Sequence, residues 1–312
     1  LRALAQVGLH SIQTSGNVIR NTTADQFAGA SADEVCDPRI WGEVLRQWST
    51  FHPEYSFLPR KFKIAISASA QDRAAVQWHD VGLYIVRNEA GETGFRVLAG
   101  GGMGRTPILG KTVREFLPQE HLLTYLEALL RVYNRYGRRD NAFKARIKIL
   151  VLEIGIETFR AEVEAEWQEV LKVWQPLDLR EVERIARHFA PPPFEALPWQ
   201  DAGFEAARTA DPDFAAWVET NVHPHKAPGY AIATISLKAT GETPGDMSAD
   251  QMDAVADIAE HFSFGDVRVT HEQNLVLPHV KKADLHTVYT RLKALGLATP
   301  NHGLITDIIA CP

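Results

Sequence analysis

The sequence predicts an α+β fold, a mixed sheet-and-helix lobe followed by a smaller half-module, and three observations carry that assignment. Strand-like runs at residues 62–66, 82–87 and 95–98 precede helical periodicity in the same lobe. A proline-rich passage, Ala190-Pro191-Pro192-Pro193 and then Leu197-Pro198-Trp199, cannot continue a helix and reads as an extended linker. Beyond it come a strand at 230–237, a helix at 249–261, a hairpin of 267–269 with 275–277, and a helix at 285–295.

Each element has its own signal. Residues 1–14 close an amphipathic segment, Leu4, Val7 and Leu9, that stops at Gly8. Residues 15–175 form the first lobe, with polar loop-and-strand character up to Asn21, a helix at 40–48, the three strands, and then helices. Leu122, Leu126, Leu129, Leu130 and Tyr133 recur at three- and four-residue spacing, as do Phe143, Ile147, Val151 and Ile154, giving two core faces. Residues 176–210 are the linker, 211–299 the half-module, and 300–312 the start of a further segment. Leu4-Ala5-Gln6-Val7-Gly8-Leu9 echoes Leu292-Lys293-Ala294-Leu295-Gly296-Leu297, a sign of duplication that helices ending in Gly-Leu also produce by chance.

Composition bounds the function. With 312 residues, 45% hydrophobic, the chain can bury two cores. A net charge of -6 argues against general nucleic-acid binding, so any anion site is local. Only Cys36 and Cys311 are cysteines, which is no disulfide framework and fits a reducing cytoplasm. No apolar stretch reaches the ~20 residues needed to cross a bilayer, so no membrane partner is expected.

The chemistry concentrates in Pro59-Arg60-Lys61-Phe62-Lys63, which leads into the apolar Ile64-Ala65-Ile66. On a strand, Lys61 and Lys63 share a face about 7 Å apart, with Phe62 opposite. Two ammonium groups at that distance repel by roughly 0.6 kcal/mol in water and roughly 2.4 kcal/mol at an effective dielectric near 20, which solvent or an anion relieves. Gatekeeping lysines on an edge strand are the competing account. Arg20, next to Asn21 in a run of small polar residues, places a guanidinium at a turn or a pocket wall.

Gly100, Gly101 and Gly102 follow a strand and present backbone that something flat can approach, or a flexible hairpin turn. The loop fails the dinucleotide fingerprint because Arg105 stands where its third glycine belongs. Gly110-Lys111-Thr112 has the ending of a nucleotide phosphate loop, but Arg105 occupies the first-glycine position, which leaves an ATPase as a remote alternative. Arg138 and Arg139 precede Asp140, a candidate N-cap where an anion would dock, and Lys144, Arg146 and Lys148 make a basic stripe on the helix expected after it. The twelve histidines show no metal-ligand spacing. Cys36 reads as a small buried hydrophobe, and 308–310 as a strand-like run delivering Cys311 to its end.

Taken together, residues 17–21, 58–63 and 100–102 and the closing Ala310-Cys311-Pro312 resemble the sirohaem-containing nitrite and sulfite reductases, across essentially the whole chain. The resemblance is to the haemoprotein beta-component. It implies ferredoxin-like half-modules paired with larger lobes, with residues 1–14 ending one half-module, 211–299 being the next, and 300–312 opening a second, cluster-binding lobe. Arg20, Lys61 and Lys63 match positions that bind the substrate oxyanion and assist proton delivery. Arg60, Asn21, Gly100, Gly101, Gly102, Arg139 and Lys144 look like contacts to sirohaem, whose carboxylates suit positive clusters. Cys311 is similar to the first of four ligands of a 4Fe-4S cluster.

The resemblance implies assimilatory six-electron reduction of sulfite to sulfide, with nitrite to ammonia as the alternative, and ferredoxin or a flavoprotein as electron donor. A non-catalytic tetrapyrrole-binding module is a further alternative. The chain reads as the middle of a longer enzyme and is expected to be inactive alone, because one thiolate does not hold such a cluster.

Overall fold

The local signals above resolve into strands and helices in a computed structural model that describes residues 2–310. Two units emerge, one from residues up to Asp25 together with Val35–Ala190, the other from Gln26–Glu34 together with Pro191 onward.

The first unit contains α1 (Arg2–Gln6), β1 (Ile19–Ala24), α2 (Pro38–Ser49), β2 (Phe62–Ser67), β3 (Val81–Arg87), β4 (Thr93–Ala99), β5 (Lys111–Pro118), α3 (Leu122–Tyr136), α4 (Ile147–Ile154), α5 (Ile156–Val170) and α6 (Leu179–Ala186). Its five strands lie in the order β1-β2-β3-β4-β5, parallel from β1 to β3 and antiparallel from β3 to β5. β2 and β3 are nearly continuous in apolar residues because both their faces are covered. One large core joins Ile64, Ile66, Leu83, Phe95 and Val97 of the sheet to Trp41, Leu126, Leu129 and Phe159 of the helices. α2 starts where Asp37 accepts the Arg39 N–H and Pro38 presets the first turn.

The second unit contains α7 (Ala202–Ala210), α8 (Pro212–Asn221), β6 (Val222–Pro224), β7 (Tyr230–Ile235), α9 (Ala249–Phe262), β8 (Arg268–Val269), β9 (Leu275–Lys281) and α10 (Leu285–Ala294). Its antiparallel sheet has the order β6-β7-β9-β8. Helices α8, α9 and α10 bring Trp217, Ile258 and Leu292 onto Ala233, Ile235 and Leu277 of the strands. Residues 26–34 belong here: Phe27 and Ala30 pack on Ile232 and Val276, and Arg268 donates to the carbonyls of Gln26 and Ala28 at 3.1 and 2.6 Å.

Several expectations need correction. The passage 176–210 is not all extended, since α6 covers the first core with Ile185 and α7 caps the second with Phe204. The helix expected from Phe143 begins only at Ile147, so Phe143 is 88% exposed rather than a core residue, and Lys144 lies in a turn. Asp140 does not cap that helix but pairs with Arg138 at 2.6 Å. Residues 308–310 form no strand; Ala310 is instead held by the Gln273 amide, which donates to its carbonyl at 2.7 Å and accepts its N–H at 2.9 Å.

The echo between the two helix ends has a matching geometry. Gly8 and Gly296 both take positive φ, 77° and 73°, and Leu9 and Leu297 each donate a 2.9 Å bond to Leu4 and Leu292, the same glycine-terminated cap twice.

Candidate functional site

The site is built on the start of β2. Phe62 is fully buried in the core, so Lys61 and Lys63 on either side of it turn to the opposite face, where both are half-buried. β1 runs alongside, with Ile19 opposite Phe62 and Asn21 opposite Lys63. Two steps on β1 against one on β2 make Arg20 the extra residue of a bulge, which re-aims its side chain. Arg20 Nε donates to the Gly16 carbonyl at 3.0 Å.

The charges on this face are mutually uncomfortable. The Lys61 ammonium is held below its ordinary pKa, first by burial and then by Lys63, Arg146, Arg20 and Arg60. Among the described residues no carboxylate lies within ion-pair distance of Arg20, Arg60, Lys61 or Lys63. Such a set of cations without a carboxylate partner is matched by a ligand with several negative oxygens.

One buried acid stands behind the face. Asp80 is fully buried; its Oδ1 lies 2.7 and 2.8 Å from the guanidinium nitrogens of Arg146, and its Oδ2 accepts the Lys63 N–H at 3.0 Å. Burial pushes the Asp80 carboxyl up, against the lowering by Arg146 and the Lys63 N–H. Its backbone carbonyl accepts the Gly100 N–H at 3.0 Å. In the sequence Arg146 is one member of a basic stripe, and no local pattern distinguishes Asp80.

The glycine loop is approached closely, but by the chain itself. A Cβ at Gly101 would lie 2.3 Å from the Gln77 carbonyl oxygen and 2.5 Å from that of His79. At Gly102 it would meet Lys148 Cδ at 3.0 Å and Arg146 Nη2 at 3.2 Å, so this glycine makes room for two cationic side chains. Gly100 needs its positive φ of 83°. The Lys148 ammonium donates to the carbonyls of Met103 and Thr106 at 2.7 and 2.6 Å, and burial, then Arg146, holds its pKa down.

The remaining residues sit differently. Arg60 is half-buried beside Lys61. Asn21 is exposed and, with Arg20, lines a cleft of about 390 Å³ walled also by Arg39, Glu43 and Arg46; neither Lys61 nor Lys63 lines it. Arg139 donates to the carbonyls of Asn134 and Phe57 at 2.8 and 3.1 Å, which staples the end of α3 to a loop. Lys144 is exposed. Cys311 lies outside the described residues, and among those described no group of three or more His, Cys, Asp or Glu is placed to hold a metal ion. Gly110-Lys111-Thr112 opens strand β5, not a helix, and Arg160 takes the Thr112 carbonyl at 2.9 Å, so the phosphate-loop alternative falls.

Comparison with known proteins agrees with the resemblance. Residues 15–171 match the nitrite and sulphite reductase 4Fe-4S domain, and residues 223–295 match the nitrite/sulfite reductase ferredoxin-like half domain. A sulfite reductase (ferredoxin) of Mycolicibacterium paratuberculosis is 28% identical over 312 residues, covering 99% of this chain and 49% of that protein. The chloroplastic ferredoxin--nitrite reductase of Arabidopsis thaliana is 26% identical over 320 residues, covering 100% and 48%. The solved NirA protein of Mycobacterium tuberculosis superposes with a TM-score of 0.70 at 26% identity, covering 96% of this chain and 48% of that one. The chain thus spans about half the length of the curated relatives it matches. With one family model spanning half of its residues and a second matching the half-module beyond, the chain belongs to the nitrite and sulfite reductase family.

Proposed function

We propose that the full-length protein is an assimilatory sulfite reductase, which carries out the six-electron reduction of sulfite to sulfide at a sirohaem coupled to a 4Fe-4S cluster. The observation that carries the reading is the cationic face without counter-ions, Arg20, Arg60, Lys61 and Lys63, on a chain of net charge -6. A macrocycle rich in carboxylates and a small oxyanion both fit that donor set. Arg60 would face the macrocycle beside the glycine loop, and Cys311 would be a cluster ligand. When bound, the two cofactors supply the electrons.

The chain's own residues do the rest. Arg20 and the two lysines hold the substrate oxygens by charge-assisted hydrogen bonds. The Lys61 Nζ proton is held loosely because burial and four cations disfavour the ammonium, so it passes readily to an oxygen leaving as water. Arginine keeps its charge throughout and serves to orient.

Relatives named sulfite reductases are 28–29% identical and those named nitrite reductases 25–27%, which favours sulfite. The nitrite reading keeps support from the Arabidopsis relative, which matches all of this chain. Ferredoxin is the favoured donor, since both kinds of relative carry it in their names, with a flavoprotein as the other; the cytoplasm is the proposed location, which two isolated cysteines suit. The test is the full-length protein's visible spectrum together with product analysis. Sirohaem bands with sulfide formed from sulfite faster than ammonia from nitrite support the reading. A colourless protein overturns it, and a coloured one that turns over neither anion leaves only the tetrapyrrole-binding module.

A further inference from the structure

Asp80 joins three parts that the sequence keeps far apart: the Lys63 backbone on β2, the Arg146 side chain before α4, and Gly100 after β4. A buried ion pair is seldom the most stable way to fill a core position, since apolar residues of the same volume often serve as well. This pair is placed where its charge matters. Arg146 is one of the cations that hold the Lys61 ammonium below its ordinary pKa. A carboxylate 2.7 Å from Arg146 therefore offsets one of the cations facing Lys61.

We propose that Asp80 is the positioning residue of the cationic face: its carboxylate fixes the Lys63 backbone against the Arg146 guanidinium, its carbonyl ties both to the glycine loop, and its charge limits the repulsion that Lys61 meets. The inference rests on the reading that this face binds an oxyanion. The groups that act on Asp80 are Arg146, Lys63 from β2, Lys148 from α4 and Tyr133 from α3; those that act on Lys61 are Lys63, Arg146, Arg20 and Arg60. The Tyr133 hydroxyl donates to the Ala145 carbonyl at 2.8 Å, and Lys148 is held by the Met103 and Thr106 carbonyls. Arg146 and Lys63 are thus the groups through which Asp80 reaches the face.

The test uses full-length protein and reads Lys61 itself. The rate of Lys61 acylation by an amine reagent, followed by peptide mass spectrometry across pH, reports where its ammonium loses the proton, and nitrite affinity is measured alongside because that anion keeps one charge throughout the range. In Asp80→Asn the Lys61 profile moves to lower pH by about half a unit or more, and nitrite affinity falls away at correspondingly lower pH. An Asp80→Asn protein with a wild-type Lys61 profile overturns the proposal. If that variant does not fold, Asp80→Asn with Arg146→Gln, which buries no charge, decides: a profile near wild type supports the offset, and one displaced to higher pH, as loss of a cation alone would give, overturns it. Failure of the oxyanion reading looks different. There the Lys61 profile still answers to Asp80, while Lys61→Ala and Lys63→Ala leave nitrite affinity unchanged.

Discussion

Gly101 shows how closely single residues are specified around the site. Any side chain there drives a carbon into two carbonyl oxygens at 2.3 and 2.5 Å, and backbone does not yield cheaply. Gly101→Ala is expected to lower stability by about 2–3 kcal/mol, read as a reduced urea midpoint. His225 is specified by hydrogen bonding. Its Nδ1 accepts the Ala227 N–H at 2.8 Å, so its Nε2 carries the proton and donates to His279 Nδ1 at 2.9 Å. Burial holds the His225 pKa down at about 4 from an ordinary 6.5. The unfolded chain therefore binds a proton that the native state refuses. Stability from this group is complete above about pH 6.5 and declines as the pH falls toward 4, by roughly 3 kcal/mol in all. Urea unfolding across that window checks this, and a His225→Gln variant is expected to show a flatter decline. At this scale the sequence made Lys61 and Lys63 legible, because alternation about an apolar Phe62 fixes their face. Asp80 was not legible, because its meaning comes from Arg146, sixty-six residues away in the chain.

Among elements, the parallel strands β2 and β3 were readable as short apolar runs of β-branched residues. β5 has no such signal, because Lys111–Pro118 exposes or half-exposes every position but Val113 and Leu117, leaving too few apolar residues to mark a period. α5 does place Phe159, Val163, Trp167 and Val170 at helical spacing, but glutamates between them hide the pattern. The late start of α4 follows from the break after α3: Gly137 ends that helix, and the turns that follow leave Arg146 free to reach Asp80. Arg146 is the N-cap residue of α4, and Lys148 in the first turn ties that helix to two carbonyls of the 103–106 loop. Lys148→Met is expected to release that loop, with faster limited proteolysis between Met103 and Thr106 and a stability loss of about 1–3 kcal/mol from the unpaired carbonyls.

For the molecule as a whole, an acidic chain carries a local group of cations at the start of β2, and its two cysteines cannot supply the four thiolates of a 4Fe-4S cluster. The 312-residue chain made alone is expected to contain no stoichiometric cluster by iron and acid-labile sulfide analysis. The α+β organisation and the half-module were legible because strand and helix periods change along the chain. The transfer of residues 26–34 to the second unit was not, since it depends on Arg268 and on Ile232 and Val276, all distant in sequence. We propose that Lys61 and Lys63 hold the substrate oxyanion. The most direct measurement is the sulfite dissociation constant of the full-length protein and of its Lys61→Ala and Lys63→Ala variants, each with sirohaem content fixed from its visible spectrum. Loss of one charge-assisted contact is expected to weaken binding about tenfold or more at unchanged sirohaem content; wild-type affinity in both variants would contradict the account.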